Sequence, residues 1–359
     1  MLLNQDIITL VRRDNCFDAL RYFLATTLIS VHFFHLCGME QPWWVISGNL
    51  RVKGFFVITG FLVLYSIFRR NNIVSYARKR FLRIVPAYVA CILLCWIVGA
   101  FLSNLSISDF LTSSHSWKYL LCNLLMLNFL CPDLPGLFTE NLSTTAVDGS
   151  LWSMKVEVAF YVFLPFFVWL MNKKGKALPT TIIYLLTLFA DFLCHYMAQR
   201  TGSHTWDMLS SQFFGRIMYF IAGAMILLWF DKVEPHRYLL FIIAVAQLLV
   251  YHYVDIIEAY LGDTCQTMLD LELRIFEPIA FALVLILIAY HLSPLNFLRK
   301  YDNVSYGMYL YHWPVIQIVI SLGIINYSII GAFAVSFFLI ILLAIGSWYL
   351  IEKPCIAKA

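Results

Sequence analysis

An arginine and a histidine, Arg21 and His32, stand eleven residues apart in an otherwise apolar run that also contains Asp18. Eleven residues turn a helix through about 1,100°, roughly 20° beyond three full turns, so the two side chains share one stripe about 16 Å apart along the axis. An imidazole in this position can act as a general base. The run is equally compatible with a structural Arg–Asp pair and a histidine at the outer membrane interface.

A second group lies in the segment DGSLWSMKVEVAFY, where Ser153, Glu157 and Tyr161 are spaced four apart on one helical face. If the chain crosses the membrane ten times, Glu157 and His32 lie at similar depths, roughly 10 Å and 8 Å below the outer surface. The Glu157 carboxylate can then orient the imidazole and stabilise its cation. Simple ion pairing is the alternative, with Lys155, Arg216 or Arg274 as the partner.

A third group is basic and follows the second apolar run, in RRNNIVSYARKRFLRIVPAY. It contains Arg78, Lys79, Arg80 and Arg83, of which Arg80 and Arg83 lie on one helical face. Guanidinium groups match the geometry of phosphates, which favours a phosphate-binding role. The same charges also fit an ordinary cytoplasmic anchor of a membrane helix, and both interpretations remain open.

Two later segments carry further candidates for binding substrate. Tyr309 and His312 lie three apart in SYGMYLYHWPV, where they either line a cavity or pack together with a satisfied imidazole. Arg216, in FFGRIMYFIAG, is either a contact for the acceptor substrate or an anchor that snorkels to the membrane surface.

The elements that position these residues are embedded in a very apolar chain. Of its 359 residues, 61% are hydrophobic and 13% are charged, and the mean hydropathy is +0.78, whereas soluble domains carry about 25% charged residues. Lipid must therefore surround most of the chain, and the net charge of +4 gives no indication of nucleic-acid binding. The nine cysteines show neither a CxxC nor a His/Cys spacing typical of zinc, so we expect no metal site and no structural disulfide.

The apolar runs predict an all-α polytopic membrane helix bundle of about ten transmembrane helices in a single domain, 1–359, with no appended soluble domain. The spans are expected at 18–37, 47–67, 83–102, 150–171, 178–198, 213–230, 238–254, 274–291, 304–322 and 327–350. The stretch 118–131 is too short to cross comfortably and is predicted to be a re-entrant or interfacial segment. With ten crossings, the basic loop groups and both termini all lie in the cytoplasm, as the positive-inside rule requires.

Six segments, taken in order, resemble the acyltransferase-3 family of integral membrane O-acyltransferases. FDALRYFLATTLISVH is similar to the family's first-helix signature of an Arg, ten residues and a His, and GFFVITGFL to its FFVxSGFL segment. RKRFLRIVPAY resembles its RxxR motif, and SLWSMKVEVAFY its SLWSLxVExxFY segment. SYGMYLYHWPV resembles its SYxxYLxHxP segment, and IEKP its terminal E-[RK]-P. The chain departs from the pattern at Lys53, where an acidic residue often precedes FFV, and at Thr59, where Ser is usual.

This resemblance implies an enzyme of the bacterial inner membrane that holds no permanent cofactor. Its donor would be cytoplasmic acyl-CoA, usually acetyl-CoA, and its acceptor a hydroxyl of an envelope carbohydrate on the far side of the membrane. His32 would be the catalytic histidine with Arg21 as its partner, while Arg80 and Arg83 would hold the phosphates of coenzyme A. Ser153 and Glu157 match the family's SLWSLxVExxFY segment.

A membrane transporter or channel is the competing class, because intramembrane Arg, Glu and His residues also form ion relays. Transporters are often built from two related halves with broken helices at matching positions. The sequence shows neither paired repeats nor such breaks, which favours the enzyme.

Overall fold

The computed structural model describes residues 15–42, 48–70, 72–253 and 263–358, and within these ranges the chain is helical, with no β-strand. Lipid offers the backbone no hydrogen-bond partner, so helices that satisfy their own N–H and C=O groups are the expected solution. The helices are α1 (Phe17–Leu36), α2 (Gly48–Arg70), α3 (Ile73–Leu102), α4 (Ile107–Thr112), α5 (Ser114–Leu124), α6 (Trp152–Lys174), α7 (Ala177–Thr201), α8 (His204–Met208), α9 (Gly215–Leu228), α10 (Phe230–Val233), α11 (Arg237–His252), α12 (Asp263–His291), α13 (Ser305–Ser321), α14 (Ile329–Ser347) and α15 (Lys353–Ala357).

Eight helical stretches in the described residues are long and apolar enough to cross a membrane. They are Leu50–Arg69, Ile73–Leu102, Trp152–Lys174, Ala177–Thr201, His204–Leu228, Phe230–His252, Arg274–His291 and Ile329–Ala357. The other two predicted spans also form helices, α1 with 20 residues and α13 with 17. α1 carries several polar residues, and α13 is shorter than any of the eight stretches, of which the shortest has 18 residues. The all-α polytopic bundle predicted from the sequence is thus confirmed.

The start of the third predicted span differs from the structure. The third span was expected to begin at residue 83, but α3 begins at Ile73 and runs for 30 residues. At 1.5 Å per residue, this helix is about 45 Å long, which exceeds the roughly 30 Å hydrocarbon core. The basic residues from Arg78 to Arg83 therefore form helical turns rather than a loop.

The short stretch 118–131 contains the end of α5 and a 3-10 turn, Asn128–Leu130. α5 has 11 residues, which amounts to about 16 Å of helix, roughly half of a membrane core. It cannot cross the membrane as a single helix. Its assignment as a re-entrant or interfacial element stays a prediction.

The helices divide between two compact units. The first, named here the His-pair unit, comprises Arg21–Arg51, Val74–Lys155 and Tyr301–Ala359. The second, named the Lys–Glu unit, comprises the described residues of Met1–Leu20, Val52–Ile73 and Val156–Lys300.

Glycines allow helices to approach closely within each unit. In the Lys–Glu unit, a Cβ on Gly60 of α2 would overlap the carbonyl oxygen of Phe220 in α9, and a Cβ on Gly223 would overlap that of Val57. In the His-pair unit, a Cβ on Gly307 would lie 2.8 Å from the Cα of Ala344. In a membrane, where lipid is as apolar as the side chains, such van der Waals contact is a main source of helix association.

We expect Gly60→Ala and Gly223→Ala each to lower the free energy of unfolding by about 1–3 kcal/mol, because the added methyl group has only backbone to displace. Thermal unfolding of the purified protein in detergent measures this effect. Gly346→Ala is the matched control, since no atom lies within 4 Å of its Cβ position, and alanine has the higher helix propensity. Equal melting temperatures for all three variants would contradict the assigned α2–α9 packing.

Candidate functional site

Two histidines from distant parts of the sequence form a direct pair in the His-pair unit. Nδ1 of His32 on α1 lies 2.6 Å from Nε2 of His312 on α13. The ring centroids are 4.9 Å apart with an interplanar angle of 13°, so the two imidazoles lie edge to edge and nearly coplanar. The indole ring of Trp313 packs against His32 at an angle of 68°. Sequence reasoning named both histidines as candidates but did not pair them.

The backbone of α13 selects the tautomer of this pair. Nδ1 of His312 lies 2.6 Å from the carbonyl oxygen of Tyr309, and a carbonyl oxygen can only accept a hydrogen bond. In the neutral pair, Nδ1 of His312 therefore carries the proton and its Nε2 accepts. Nδ1 of His32 must then be the donor to His312. This series of hydrogen bonds leaves Nε2 of His32 unprotonated, with the lone pair that a general base requires.

One face of α13 holds the segment that leads into α6. Tyr309, Trp313 and Gln317 are spaced four apart, one for each helical turn. The hydroxyl of Tyr309 donates to the carbonyl of Ser150. Nε1 of Trp313 and Nε2 of Gln317 both donate to the carbonyl of Ala146, at 3.2 and 2.9 Å. This polar stripe fixes α13, and with it His312, against the neighbouring segment.

The DGSLW motif contributes two more contacts at the same place. The Oγ of Ser153 lies 2.9 Å from the hydroxyl of Tyr309, and because that hydroxyl donates to Ser150, Ser153 is the donor to it. The ring of Trp313 lies so close to Gly149 that a Cβ there would be 2.6 Å from the indole. His32, His312, Tyr309 and Ser153 thus meet in one network, so the structure brings together four of the predicted site residues.

Arg51 is a charged residue of this region that sequence reasoning did not identify. Its side chain is fully buried, with 0% exposure, and NH1 donates to the backbone carbonyl of Thr27. Its positive charge acts on both His32 and His312. Arg51 lies inside the predicted span 47–67, and a charged residue within a membrane span is energetically costly and often marks a functional site. Its position in the sequence could therefore have identified it.

Asp148 is the second residue that sequence reasoning missed. It is 4% exposed, and its Oδ1 accepts hydrogen bonds from the backbone N and the Oγ of Ser150, at 3.0 and 2.7 Å. Burial raises the pKa of its carboxyl to about 7, although the Ser150 hydrogen bonds oppose this shift. A carboxyl that titrates near neutrality is a frequent feature of functional sites.

The predicted coenzyme A group lies on the first turns of α3. Arg78 is exposed, whereas Lys79, Arg80 and Arg83 are partly buried. The guanidinium of Arg83 stacks over the indole of Trp348 at 5.3 Å. Arg83 thus has an intramolecular partner, while phosphate binding by all four residues stays a prediction.

The remaining predicted residues fall in other places. Arg21 is half-buried on α1. Glu157 accepts a hydrogen bond from Tyr161, one turn further along α6. Glu157 belongs to the Lys–Glu unit, and its pairing with His32 stays a prediction.

Arg216 belongs to a buried ionic cluster within the Lys–Glu unit. Nζ of Lys53 lies 3.0 Å from Oε1 of Glu277, and the hydroxyl of Tyr219 donates to the other carboxylate oxygen. Arg216 is 9% exposed and interacts electrostatically with both Tyr219 and Glu277. The departure from the family pattern at Lys53 is therefore compensated by a carboxylate from α12. A binding role for Arg216 stays a prediction.

Comparison with known proteins adds independent information. A family model described as an acyltransferase domain matches residues 14–352. An O-acetyl transferase of Shigella phage Sf6 is 23% identical over 356 residues, covering 97% of this chain and 98% of the phage protein. Nodulation protein 10 of Rhizobium leguminosarum bv. viciae is 26% identical over 368 residues, covering 95% and 92% of the two chains. No solved structure matches.

The buried Asp148 makes stability depend on pH in a defined direction. Because its folded pKa of about 7 exceeds the ordinary value of 3.8, the folded state binds the proton more tightly than the unfolded state. Asp148 therefore lowers stability as pH rises from about 4 to about 7, and the effect levels off above that range. Asp148→Asn keeps the acceptor for Ser150 and removes this titration.

Melting temperatures of wild type and Asp148→Asn, measured in detergent between pH 4 and 8, test this assignment. The variant is expected to gain stability relative to wild type as pH rises. Glu140→Gln, at an exposed position of the same segment, should follow the wild-type curve. Parallel curves for wild type and Asp148→Asn would refute the raised pKa.

Proposed function

The chain belongs to the acyltransferase-3 family and is a membrane O-acyltransferase; from this premise we propose that it moves an acetyl or other short acyl group from cytoplasmic acyl-CoA to a hydroxyl of an extracytoplasmic carbohydrate. The name of the phage relative, an O-acetyl transferase, supports an acetyl group and an oxygen acceptor. The observation that carries the proposal is the hydrogen-bonded chain from His32 through His312 to the Tyr309 carbonyl.

The tautomer of the histidine pair fits both a direct transfer and a route through acyl-histidine. In the direct transfer, Nε2 of His32 removes the proton from the acceptor hydroxyl, and the oxygen attacks the thioester carbonyl. The tetrahedral intermediate then collapses, the carbon–sulfur bond breaks, and the coenzyme A thiolate leaves and takes the proton from His32. While His32 is a cation, its Nδ1–H still donates to Nε2 of His312. The neutral imidazole of His312 thus orients His32, as the carboxylate orients the histidine in a Ser-His-Asp triad.

Charge develops on the thioester oxygen during this attack, and a fixed cation can stabilise it. Arg51 is suited to this role, because it is fully buried and its charge reaches both imidazoles. Water is excluded from such a position, so the charge is screened little. We assign Arg51 to the stabilisation of the oxyanion.

The donor is proposed to bind with its phosphates on the first turns of α3. Arg80 and Arg83 supply guanidinium groups there, with Arg78 and Lys79 beside them. Arg21 would stand at the entrance for the pantetheine arm, about 16 Å along α1 from His32. In this arrangement both termini are cytoplasmic and the membrane is the bacterial inner membrane, where cytoplasmic acyl-CoA is accessible.

The α13 segment with Tyr309 and His312 is proposed to form the acceptor end of the site, and a binding role for Arg216 in the Lys–Glu unit is a separate prediction. Tyr309 contributes by positioning, since its hydroxyl already bonds to Ser150 and Ser153. An envelope polysaccharide is the proposed acceptor class. Mass spectrometry of surface glycans, with and without the gene, tests this assignment, and an unchanged acylation pattern would remove it.

Substitutions of the histidine pair should separate the base from the residue that orients it. The assay uses liposomes supplied with radiolabelled acetyl-CoA. His32→Ala is expected to lower the rates of acetyl-CoA hydrolysis and acetyl transfer by about 10²–10⁴-fold, the usual contribution of a general base. His312→Ala should show a large loss of kcat. His312→Gln should retain more activity, because its amide oxygen can still accept from Nδ1 of His32.

His195→Ala is the control for this series, since His195 forms an exposed hydrogen bond with the nearby Gln199. Its activity should equal that of wild type. Full activity of His32→Ala would exclude the proposed base, and equal activities of His312→Ala and His312→Gln would exclude the tautomer argument. Absence of thioester turnover by the wild type with any short acyl-CoA would refute the donor assignment.

Substitution of the α3 arginines should change donor binding. We expect Arg80→Gln to raise the KM for acetyl-CoA about 10-fold or more, since a charge-assisted bond contributes about 1.5–3 kcal/mol. Arg83→Gln should raise KM and also lower stability, because the stacking on Trp348 is lost. Lys173→Gln, an exposed cation at the end of α6, is the control. An unchanged KM in both arginine variants would assign these residues to membrane topology alone.

A further inference from the structure

Three potential metal ligands meet in the His-pair unit, in a region that the proposed reaction does not use. They are His115 in the first turn of α5, Cys131, and Asp133 just beyond it. One donor atom from each residue lies within 4.8 Å of the others. Nε2 of His115 is 3.7 Å from Sγ of Cys131 and 3.7 Å from Oδ1 of Asp133. The sequence spacing gives no zinc signature, so only the fold brings these donors together.

Two of the three donor separations are close to those around a tetrahedral zinc ion, and all three donor atoms lie within 4.8 Å of one another. With Zn–S bonds of about 2.3 Å and Zn–N or Zn–O bonds of about 2.0–2.1 Å, two ligands on a tetrahedral centre lie roughly 3.3–3.6 Å apart. The observed His115–Cys131 and His115–Asp133 distances of 3.7 Å are within a few tenths of an ångström of these values.

The backbone around the donors is held by other contacts. Nδ2 of Asn123 donates to the carbonyls of both Tyr119 and Cys131, each at 2.9 Å. The backbone N of Val147 donates to the carbonyl of Pro132, also at 2.9 Å. The Asn123 bond ties the Cys131 backbone to α5, and the Val147 bond ties Pro132 to the segment before α6, both without any ion.

The three side chains differ in how far they are buried. Cys131 is 1% exposed, and burial together with the Asp133 carboxylate raises the pKa of its thiol. A bound cation would offset both effects, because the thiolate is the form that binds metals. The side chains of His115 and Asp133 are 42% and 38% exposed, which leaves an entry path and an open fourth position.

An ordinary His–Asp pair beside a buried thiol is the competing explanation. In the absence of an ion, Nε2 of His115 lies 3.1 Å from the backbone carbonyl of Asp133. That hydrogen bond requires a proton on Nε2, and a metal would replace it. The protein with an ion and the protein without one therefore differ in whether Nε2 of His115 carries a proton.

We propose that His115, Cys131 and Asp133 bind one zinc ion, with water in the fourth position. The mixed nitrogen, sulfur and oxygen donors favour zinc over calcium or magnesium, which prefer oxygen ligands alone. Binding converts the Cys131 thiol to a thiolate and releases its proton to solvent. The ion would tie α5 to the Cys131–Asp133 segment, and its fourth position, occupied by water, would stay open to solvent.

The test uses the full-length protein in detergent, equilibrated with zinc chloride and passed through gel filtration. Elemental analysis is expected to find about one zinc per chain, a content that Cys131→Ser and His115→Ala should each reduce at least 10-fold. Cys194→Ser, which removes a buried thiol on α7, is the matched control and should retain the metal. Loading with cobalt(II) should give a thiolate-to-cobalt charge-transfer band that Cys131→Ser abolishes and Cys194→Ser keeps.

Wild-type protein that holds no metal after gel filtration would overturn the proposal. Equal metal content in wild type and His115→Ala would overturn it as well, and this variant changes a half-exposed side chain, so misfolding does not obscure the result. Acyl-transfer activity is recorded in parallel. Loss of metal with retained turnover separates this site from the catalytic one.

Discussion

The contact between the two imidazoles is the interaction on which the rest of the site depends. His32 and His312 come from helices nearly three hundred residues apart in the sequence, and their 2.6 Å separation requires one donor and one acceptor. The carbonyl of Tyr309 can only accept, so Nδ1 of His312 is protonated, Nε2 of His312 is the acceptor and Nδ1 of His32 is the donor. A single backbone group thereby fixes the protonation of two side chains and directs a lone pair to the nitrogen that faces away from the pair.

The polar stripe on α13 shows how a membrane helix is held without a hydrophobic driving force. Lipid is as apolar as leucine, so association relies on close packing and interhelical hydrogen bonds. Tyr309, Trp313 and Gln317 supply such bonds to the segment before α6, and Gly149 allows the Trp313 indole to approach. Rigid support of this kind keeps a catalytic side chain within the narrow geometry that proton transfer requires.

In the Lys–Glu unit, helices are likewise joined by polar contacts, here those of a buried ionic cluster. A buried charge without a partner costs several kcal/mol, and Lys53 meets this requirement through Glu277, with Tyr219 satisfying the second carboxylate oxygen. Replacement of a typical acidic residue by lysine at position 53 is therefore consistent with an intact bundle. Its partner lies on α12, more than two hundred residues along the chain.

The sequence alone determined the membrane class, the helical architecture and the candidate status of His32 and His312, because hydropathy and the cost of a buried charge are properties of single segments. It did not determine where α3 begins, since basic residues fit equally well in a loop and in helical turns beyond the lipid. Only the tertiary structure decided that the partner of His32 is His312, that Arg51 and Asp148 are buried, and that His115, Cys131 and Asp133 are neighbours. The physical reason is that helical periodicity relates residues within about one or two turns, whereas contacts between helices depend on the rotation and register of each helix in the bundle.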